Sequence, residues 1–311
     1  MSIKILNPGV RSLIQDGGRF GLARYGVPRS GAFDRMSWRL ANELVGNNVP
    51  DEYATDAGPA SIEVLLGGLR IEATRDLVVA VTGADVPVTC LDVDADDKRE
   101  AAMNERITLT AGSRLHIGSP KVGLHTYVAV SGGIAVDYVL GSRSTDTTST
   151  IGPHPLEKGR ILPVGDARPS SPVMDQTELL ELPTMTSTAT VAVRPGPDVG
   201  LLSGGIDDLT GTRTWTVSPV SSRSGIRLTR NENDSSGSVD RNVRARLSSR
   251  ESVPTTVGTV QALPDGELVI VGPDGPTTGG YPVVAVLDWQ HVSIVAQARP
   301  GSILRFEETT R

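Results

Sequence analysis

Two periodicities divide the chain. Over 35–45, apolar residues recur every three or four positions. Met36, Leu40 and Leu44 form one line and Trp38, Ala41 and Val45 another, the spacing of one helix face. Asp34 stands where its carboxylate can accept from the free N–H groups of a first turn, so it is read as an N-cap rather than a catalytic acid. Gly46 follows where such a helix would stop. From Ala60 the period becomes two. The runs starting at Ser61, Leu69, Leu77, Val86, Arg106, Arg114 and Leu124 alternate as strands do, with Gly67, Gly68, Gly83, Gly112, Gly118, Gly132 and Gly133 between them. Ser2–Leu6 reads as a short strand before them, and 158–166 as one after. Seven short strands with glycine turns predict a closed barrel or a sandwich.

A second β series follows, in runs starting at Thr190, Arg213, Gly225, Glu267, Pro282, Val292 and Ile303. Between the two series, residues 167–189 are rich in Pro, Ser, Thr and acids, and the domain boundary is expected there. The expected domains are therefore 1–170 and 190–311. Residues 231–250 are strongly polar and read as an insertion. Gly112-Ser-Arg-Leu-His-Ile and Gly301-Ser-Ile-Leu-Arg-Phe share a pattern late in each half, as two similar barrels would.

One stretch fits neither period. From Gln15 to Asp34 the chain carries five glycines, three arginines, two aspartates and a glutamine. Its glycines suit turns and close backbone approach, and its charges need partners or water. It is either a surface loop capping a barrel or a functional loop presenting Gln15, Asp16 and Arg19.

Composition narrows the class. The chain has 311 residues with 34 glycines and 21 prolines, which means many turns; aromatics are only 4%, so the core must be aliphatic. A net charge of −6 argues against a general nucleic-acid binder. The single cysteine, Cys90, lies in an alternating run and reads as a buried, inert thiol. Neither a signal-peptide core nor a long apolar run is visible, so a cytoplasmic location without membrane contact is expected.

Familiar chemical signatures are missing. The sequence has no Gly-x-x-x-x-Gly-Lys-Ser/Thr loop, no nucleophile elbow, no His-Glu-x-x-His and no Met-Lys-Met biotin-attachment sequence. Its four histidines are scattered, so no metal site is expected. The remaining candidates are polar clusters beside glycines: the hydroxyl-rich loop at 141–152, the turn at 221–225, the stretch 258–266 and the turn 274–282. Thr277-Thr-Gly-Gly-Tyr combines two hydroxyls, free backbone amides and a phenol, a set that can hold an anion or oxyanion or form a tight hairpin.

Together these stretches resemble the biotin-dependent carboxyltransferase A/B-domain family, which includes the 5-oxoprolinase C subunit, allophanate hydrolase subunit 2 and the Kip-type antagonist of a kinase inhibitor. The matching segments run in family order. They include Gln15-Asp-Gly-Gly-Arg-Phe-Gly, Gly26-Val-Pro-Arg-Ser-Gly-Ala-Phe-Asp, Ala129-Val-Ser-Gly-Gly-Ile, Gly141-Ser-Arg-Ser-Thr, Gly258-Thr-Val-Gln and Thr277-Thr-Gly-Gly-Tyr-Pro. The chain departs from the pattern at Ser222, Ser224, His125 and Pro153.

The resemblance implies a mainly β fold of two cyclophilin-like β-barrel domains with a few short helices. It implies the C-type subunit of an ATP-dependent, 5-oxoprolinase-type hydrolase complex that opens 5-oxoproline to glutamate. Partners would be a Kip-inhibitor-like B-type subunit and a lactam-utilisation-type A subunit. No covalently bound cofactor is expected, and ATP would be used by the complex. The alternatives are a biotin-dependent carboxyltransferase acting on urea or a related amide, and a non-catalytic antagonist of a Kip-inhibitor-like protein. Expected catalytic residues are Gln15, Asp16, Arg19, Arg143 and Gln261. Expected substrate-binding residues are Ser144, Thr145, Arg223, Thr277, Thr278, Gly279, Gly280 and Tyr281.

Overall fold

The structure, a computed structural model, describes residues 2–51, 54–92, 97–166, 187–230 and 251–309. Two compact units divide the chain: Met1–Gly21 with Ser30–Pro183, and Leu22–Arg29 with Thr184–Arg311. Most of the expected boundary stretch (167–186) and the whole polar stretch 231–250 lie outside the described residues.

The first unit contains β1 (Ser2–Pro8), β2 (Arg11–Gln15), α1 (Arg35–Leu44), β3 (Ser61–Leu65), β4 (Leu69–Ala73), β5 (Leu77–Asp85), β6 (Val88–Asp92), β7 (Asp97–Ala101), β8 (Arg106–Leu109), β9 (Arg114–Ile117), β10 (Val122–Val130) and β11 (Ile161–Pro163). They form a six-stranded sheet in the order β11-β1-β4-β9-β6-β7 and a five-stranded sheet in the order β2-β3-β10-β5-β8. The inward residues of both make one core, with Ile3, Ile5, Ile71 and Leu115 from the larger sheet and Ile62, Val64, Val79, Val81 and Val128 from the smaller. The other face of the smaller sheet is covered by α1, whose Trp38, Leu40, Ala41 and Leu44 pack with Ala80, Tyr127 and Ala129. A strand buried on both faces loses its alternation, which is why β10 is buried at six consecutive positions from His125. The larger sheet keeps clean alternation, with Arg70 and Arg114 outward.

Helix α1 starts as expected. Asp34 accepts from the Ser37 amide at 3.0 Å and from its hydroxyl at 2.6 Å. Gly46 closes the far end with positive φ.

The second unit contains β12 (Thr188–Pro195), β13 (Trp215–Val217), β14 (Gly225–Arg230), β15 (Val253–Pro254), β16 (Thr259–Ala262), β17 (Leu268–Val271), β18 (Thr278–Gly279), β19 (Val283–Leu287), α2 (Trp289–Ala296) and β20 (Ile303–Glu308). Seven strands close a barrel in the order β12-β19-β16-β17-β14-β13-β20, sealed by the parallel β12–β20 pair. The mainly β architecture therefore holds.

One expected strand is a helix: Val292–Ala296 forms the second half of α2. A short run of β-branched residues does not by itself separate a strand from a buried helix. Here Val292, Ser293, Val295 and Ala296 are the buried positions, a helical spacing. Strands β2, β7 and β16 escaped the sequence reading, as did the two-residue β15 and β18. Strand β2 precedes the glycine loop directly, and β7, Asp-Lys-Arg-Glu-Ala, has almost no apolar content.

The shared Gly-Ser pattern has the same local structure twice. Gly112 donates to the Ala73 carbonyl, and Ala73 donates to that of Ser113; Gly301 and Ser302 bracket Val217 in the same way. Both glycines have positive φ, +83° and +87°.

Candidate functional site

Each unit gathers one group of the candidate residues. In the first, β2 ends at Gln15 and the chain turns at Asp16, whose side chain is fully buried. Its Oδ1 accepts from the Gly18 amide at 2.8 Å, from the Ser142 hydroxyl at 2.7 Å and from the Ser144 hydroxyl at 2.5 Å. Its Oδ2 accepts from the Arg143 amide at 2.6 Å. The carboxylate is thus held by neutral donors, which a buried anion needs when no ion pair balances it. Arg19 reinforces the same junction, donating to the carbonyls of Ser144 at 2.6 Å and Val139 at 3.2 Å. Gly152 makes room for this contact: a Cβ there would lie 2.1 Å from the Ser144 carbonyl oxygen and 2.7 Å from Arg19 Nη2.

Gln15 donates to the Thr145 carbonyl at 2.9 Å, while its own Oε1 and the Thr145 hydroxyl are buried without a hydrogen-bond partner. Asp16 and Ser144 spend their side-chain oxygens on one another, on Ser142 and on backbone, and Arg19 gives Nε and Nη2 to backbone carbonyls. Chemically they pin the 141–146 loop to the 15–20 loop.

Arg143 differs. Its backbone joins the knot, but its side chain leaves it. Nε donates to the Val136 carbonyl at 2.7 Å, and the guanidinium carbon lies 3.7 Å from the centroid of the half-exposed Tyr138 ring. A guanidinium on an aromatic face keeps its edge available to an anion. Among the described residues no carboxylate forms an ion pair with it.

Beneath α1 lies a second buried carboxylate. Glu63 accepts from the Tyr127 hydroxyl at 2.7 Å and the Phe33 amide at 3.1 Å, and that hydroxyl accepts from the Asp34 amide at 2.8 Å. Burial, reinforced by Glu63 and Asp34, pushes the Tyr127 phenol well up from its ordinary value. It therefore stays a donor. His125, a departure from the family pattern, is buried with its ring 5.8 Å from that of Phe33.

In the second unit Arg223 is not open to a ligand. Its Nε and Nη2 reach the two oxygens of Asp274 at 2.9 and 3.0 Å, and both side chains are fully buried. The fork ties the 221–225 turn to the 272–275 turn, helped by Gly272 donating to the Ser224 carbonyl at 3.1 Å.

Gln261 sits on β16, beside a shift in its register with β19. Such irregularities re-aim side chains. Its Nε2 is buried without an acceptor and lies against Gly279, where a Cβ would come within 2.6 Å of it. The turn above is tethered at one end: Thr255 donates its amide to the Thr277 carbonyl at 3.0 Å and its hydroxyl to the Pro276 carbonyl. Thr278 and Tyr281 beyond it are exposed, and Gly280 is half-buried.

So Gln15, Asp16, Arg19, Arg143, Ser144 and Thr145 meet in one unit. Gln261 meets Gly279 and its turn in the other, with Arg223 fixed by Asp274. Sequence reasoning missed Asp274 and Glu63 as functional partners. Each left a signal: a lone arginine in a serine turn needs an acid, and Glu63 interrupts an otherwise apolar run. Among the described residues no three His, Cys, Asp or Glu side chains gather as a metal site, and no helix is long and apolar enough to cross a membrane.

Comparison with known proteins adds to this geometry. The carboxyltransferase domain family, subdomain A and B, matches residues 25–308. The chain is 32% identical over 303 residues to the 5-oxoprolinase C subunit of Escherichia coli (strain K12), covering 96% of this chain and 89% of that one. It is 30% identical over 307 residues to the Haemophilus influenzae protein of the same name, covering 98% and 90%. Against urea amidolyase of Saccharomyces cerevisiae it is 31% identical over 321 residues, covering 98% of this chain but 16% of that one. Among solved structures, K. lactis urea amidolyase superposes with a TM-score of 0.83 at 28% identity, over 99% of this chain and 19% of that one.

Proposed function

Because the chain belongs to the carboxyltransferase domain family, subdomain A and B, we propose that it acts as the C-type subunit of an ATP-dependent 5-oxoprolinase-type complex. The observation that carries this reading is the match to two 5-oxoprolinase C subunits over at least 96% of this chain and at least 89% of theirs. The complex would open 5-oxoproline, a cyclic amide, to glutamate with ATP hydrolysis. A Kip-inhibitor-like B-type subunit and a lactam-utilisation-type A subunit would supply the rest, ATP binding included, in the cytoplasm.

An amide carbonyl gathers negative charge on oxygen as water adds. A donor already aimed at that oxygen lowers the barrier without reorganising. Gln261 is the donor we assign, because its Nε2 is buried and uncommitted. Its cover is the exposed end of the turn, Thr278–Tyr281. In the first unit Arg143 is the open cation, suited to an anion. Gln15, Asp16, Arg19, Ser144 and Thr145 are positioning residues that fix the Arg143 loop, and Arg223 fixes the turn through Asp274.

The experiment is co-purification with the A and B partners and an assay of ATP-dependent glutamate release from 5-oxoproline. Gly279→Ala should lower kcat about tenfold or more while the melting temperature stays within a few degrees. The new Cβ displaces a flexible amide rather than backbone, and φ at 279 is not positive. No turnover in a fully assembled complex would overturn the reading. Carboxyl transfer to urea from a biotinylated carrier would replace it with the second reading, favoured by the superposition on K. lactis urea amidolyase.

A further inference from the structure

The outward face of the six-stranded sheet holds an open pocket of about 440 Å³. None of its lining residues belongs to the two clusters above. Arg70, Lys98, Arg114 and Lys158 surround it with His116 among them, and Leu6 and Leu91 add apolar surface. Strand register explains the gathering. Arg70 lies opposite His116, and Leu91 lies between Arg114 on one side and Lys98 on the other. Like-sign side chains on neighbouring strands are destabilising, so this face holds a repulsion that the fold does not require.

The acids on the same face do not cancel it. Glu72 pairs with Arg114 at 3.0 Å. Glu100 lies opposite Thr89. Among the described residues Arg70, Lys98 and Lys158 form no ion pair. This happens in a chain whose net charge is −6, so the patch opposes the overall sign. His116 registers the crowding: burial, then Arg70, then Lys98, push its pKa down from the ordinary value. A neutral imidazole can donate one hydrogen bond there without adding charge. Cys90 beneath the pocket is buried and its thiol is pushed up by burial, so the floor offers no thiolate.

We propose that this pocket binds a small phosphorylated anion. The volume suits a small molecule. One guanidinium free of carboxylates and two ammonium groups suit a doubly charged tetrahedral group, which a single carboxylate would only half neutralise.

The test is a titration of the full chain with pyrophosphate, followed by calorimetry and by the imidazole proton resonances of the four histidines. Expected are saturable binding tighter than about 1 mM, a weakening with added salt, and a rise in the His116 pKa on saturation, since the anion offsets Arg70 and Lys98. The double variant Arg70→Ala/Lys158→Ala should lose at least about tenfold in affinity with a melting temperature no lower than that of the wild type, since removing two of the cations relieves their repulsion. Arg305→Ala, an exposed charge in the other unit, should change nothing. Three results would overturn the proposal: no saturation, equal binding by the double variant, or an acidic peptide binding more tightly than pyrophosphate.

Discussion

Asp16 and Arg223 are both buried charges that fasten one loop to another, and they are stabilised in opposite ways. Arg223 meets an opposite charge, Asp274, in a two-point fork. Asp16 has four neutral donors and, among the described residues, no ion pair. The first arrangement is a pair whose two members can be removed together. The second is a socket, half of it backbone, that no substitution can remove. Both fix loops, yet only the first can be dismantled cleanly.

The largest effect expected is therefore Arg223→Met. It strips the buried Asp274 of the guanidinium fork and should cost about 3–5 kcal/mol in chemical denaturation. Arg223→Met with Asp274→Leu should recover most of that loss, because burying neither charge avoids both desolvation costs. A double variant as unstable as the single one would break the contrast.

Next comes Asp16→Ala, expected to cost roughly 2–4 kcal/mol by stranding buried donors. Adding Ser142→Ala and Ser144→Ala removes two of them but leaves the amides of Gly18 and Arg143. A deficit of at least about 1 kcal/mol should persist. Full recovery in the triple variant would show that the socket behaves like the pair.

Glu63 repeats the Asp16 strategy with a titratable donor, which allows a smaller test. The folded phenol of Tyr127 titrates higher than the unfolded one. Its stabilising contribution is thus complete below the unfolded value of about 10 and is lost as pH rises beyond it. Denaturation of Tyr127→Phe should show a loss of about 1 kcal/mol near neutrality and a gap from the wild type that narrows in alkali. A gap independent of pH would remove the phenol from the account.

The same contrast marks how far the sequence could be read. Strand-length runs between glycine turns placed β3, β4, β5, β8, β9 and β10; burial alternates cleanly in β4, β8 and β9, whose outer side chains reach solvent, and not in β3 or β10. The same reading missed α2, whose short apolar run is too brief to separate a helical period from a strand. It grouped the Gln15 stretch with the 141–145 loop only through the family pattern. Nothing local to Asp16 announces Ser144, 128 positions later.

What the sequence determined alone is local: the Asp34 cap, the glycine turns before Ser113 and Ser302, and the β character of both halves. Each follows from bonds between near neighbours or from a side chain's own preference. Tertiary structure decided the rest. It decided that Asp16 faces donors, that Arg223 is spent on Asp274, that the Gln261 amide is free and that four cations share one outward face. These depend on which strands become neighbours, and pairing across a sheet is set by the whole ladder, not by any one stretch of it.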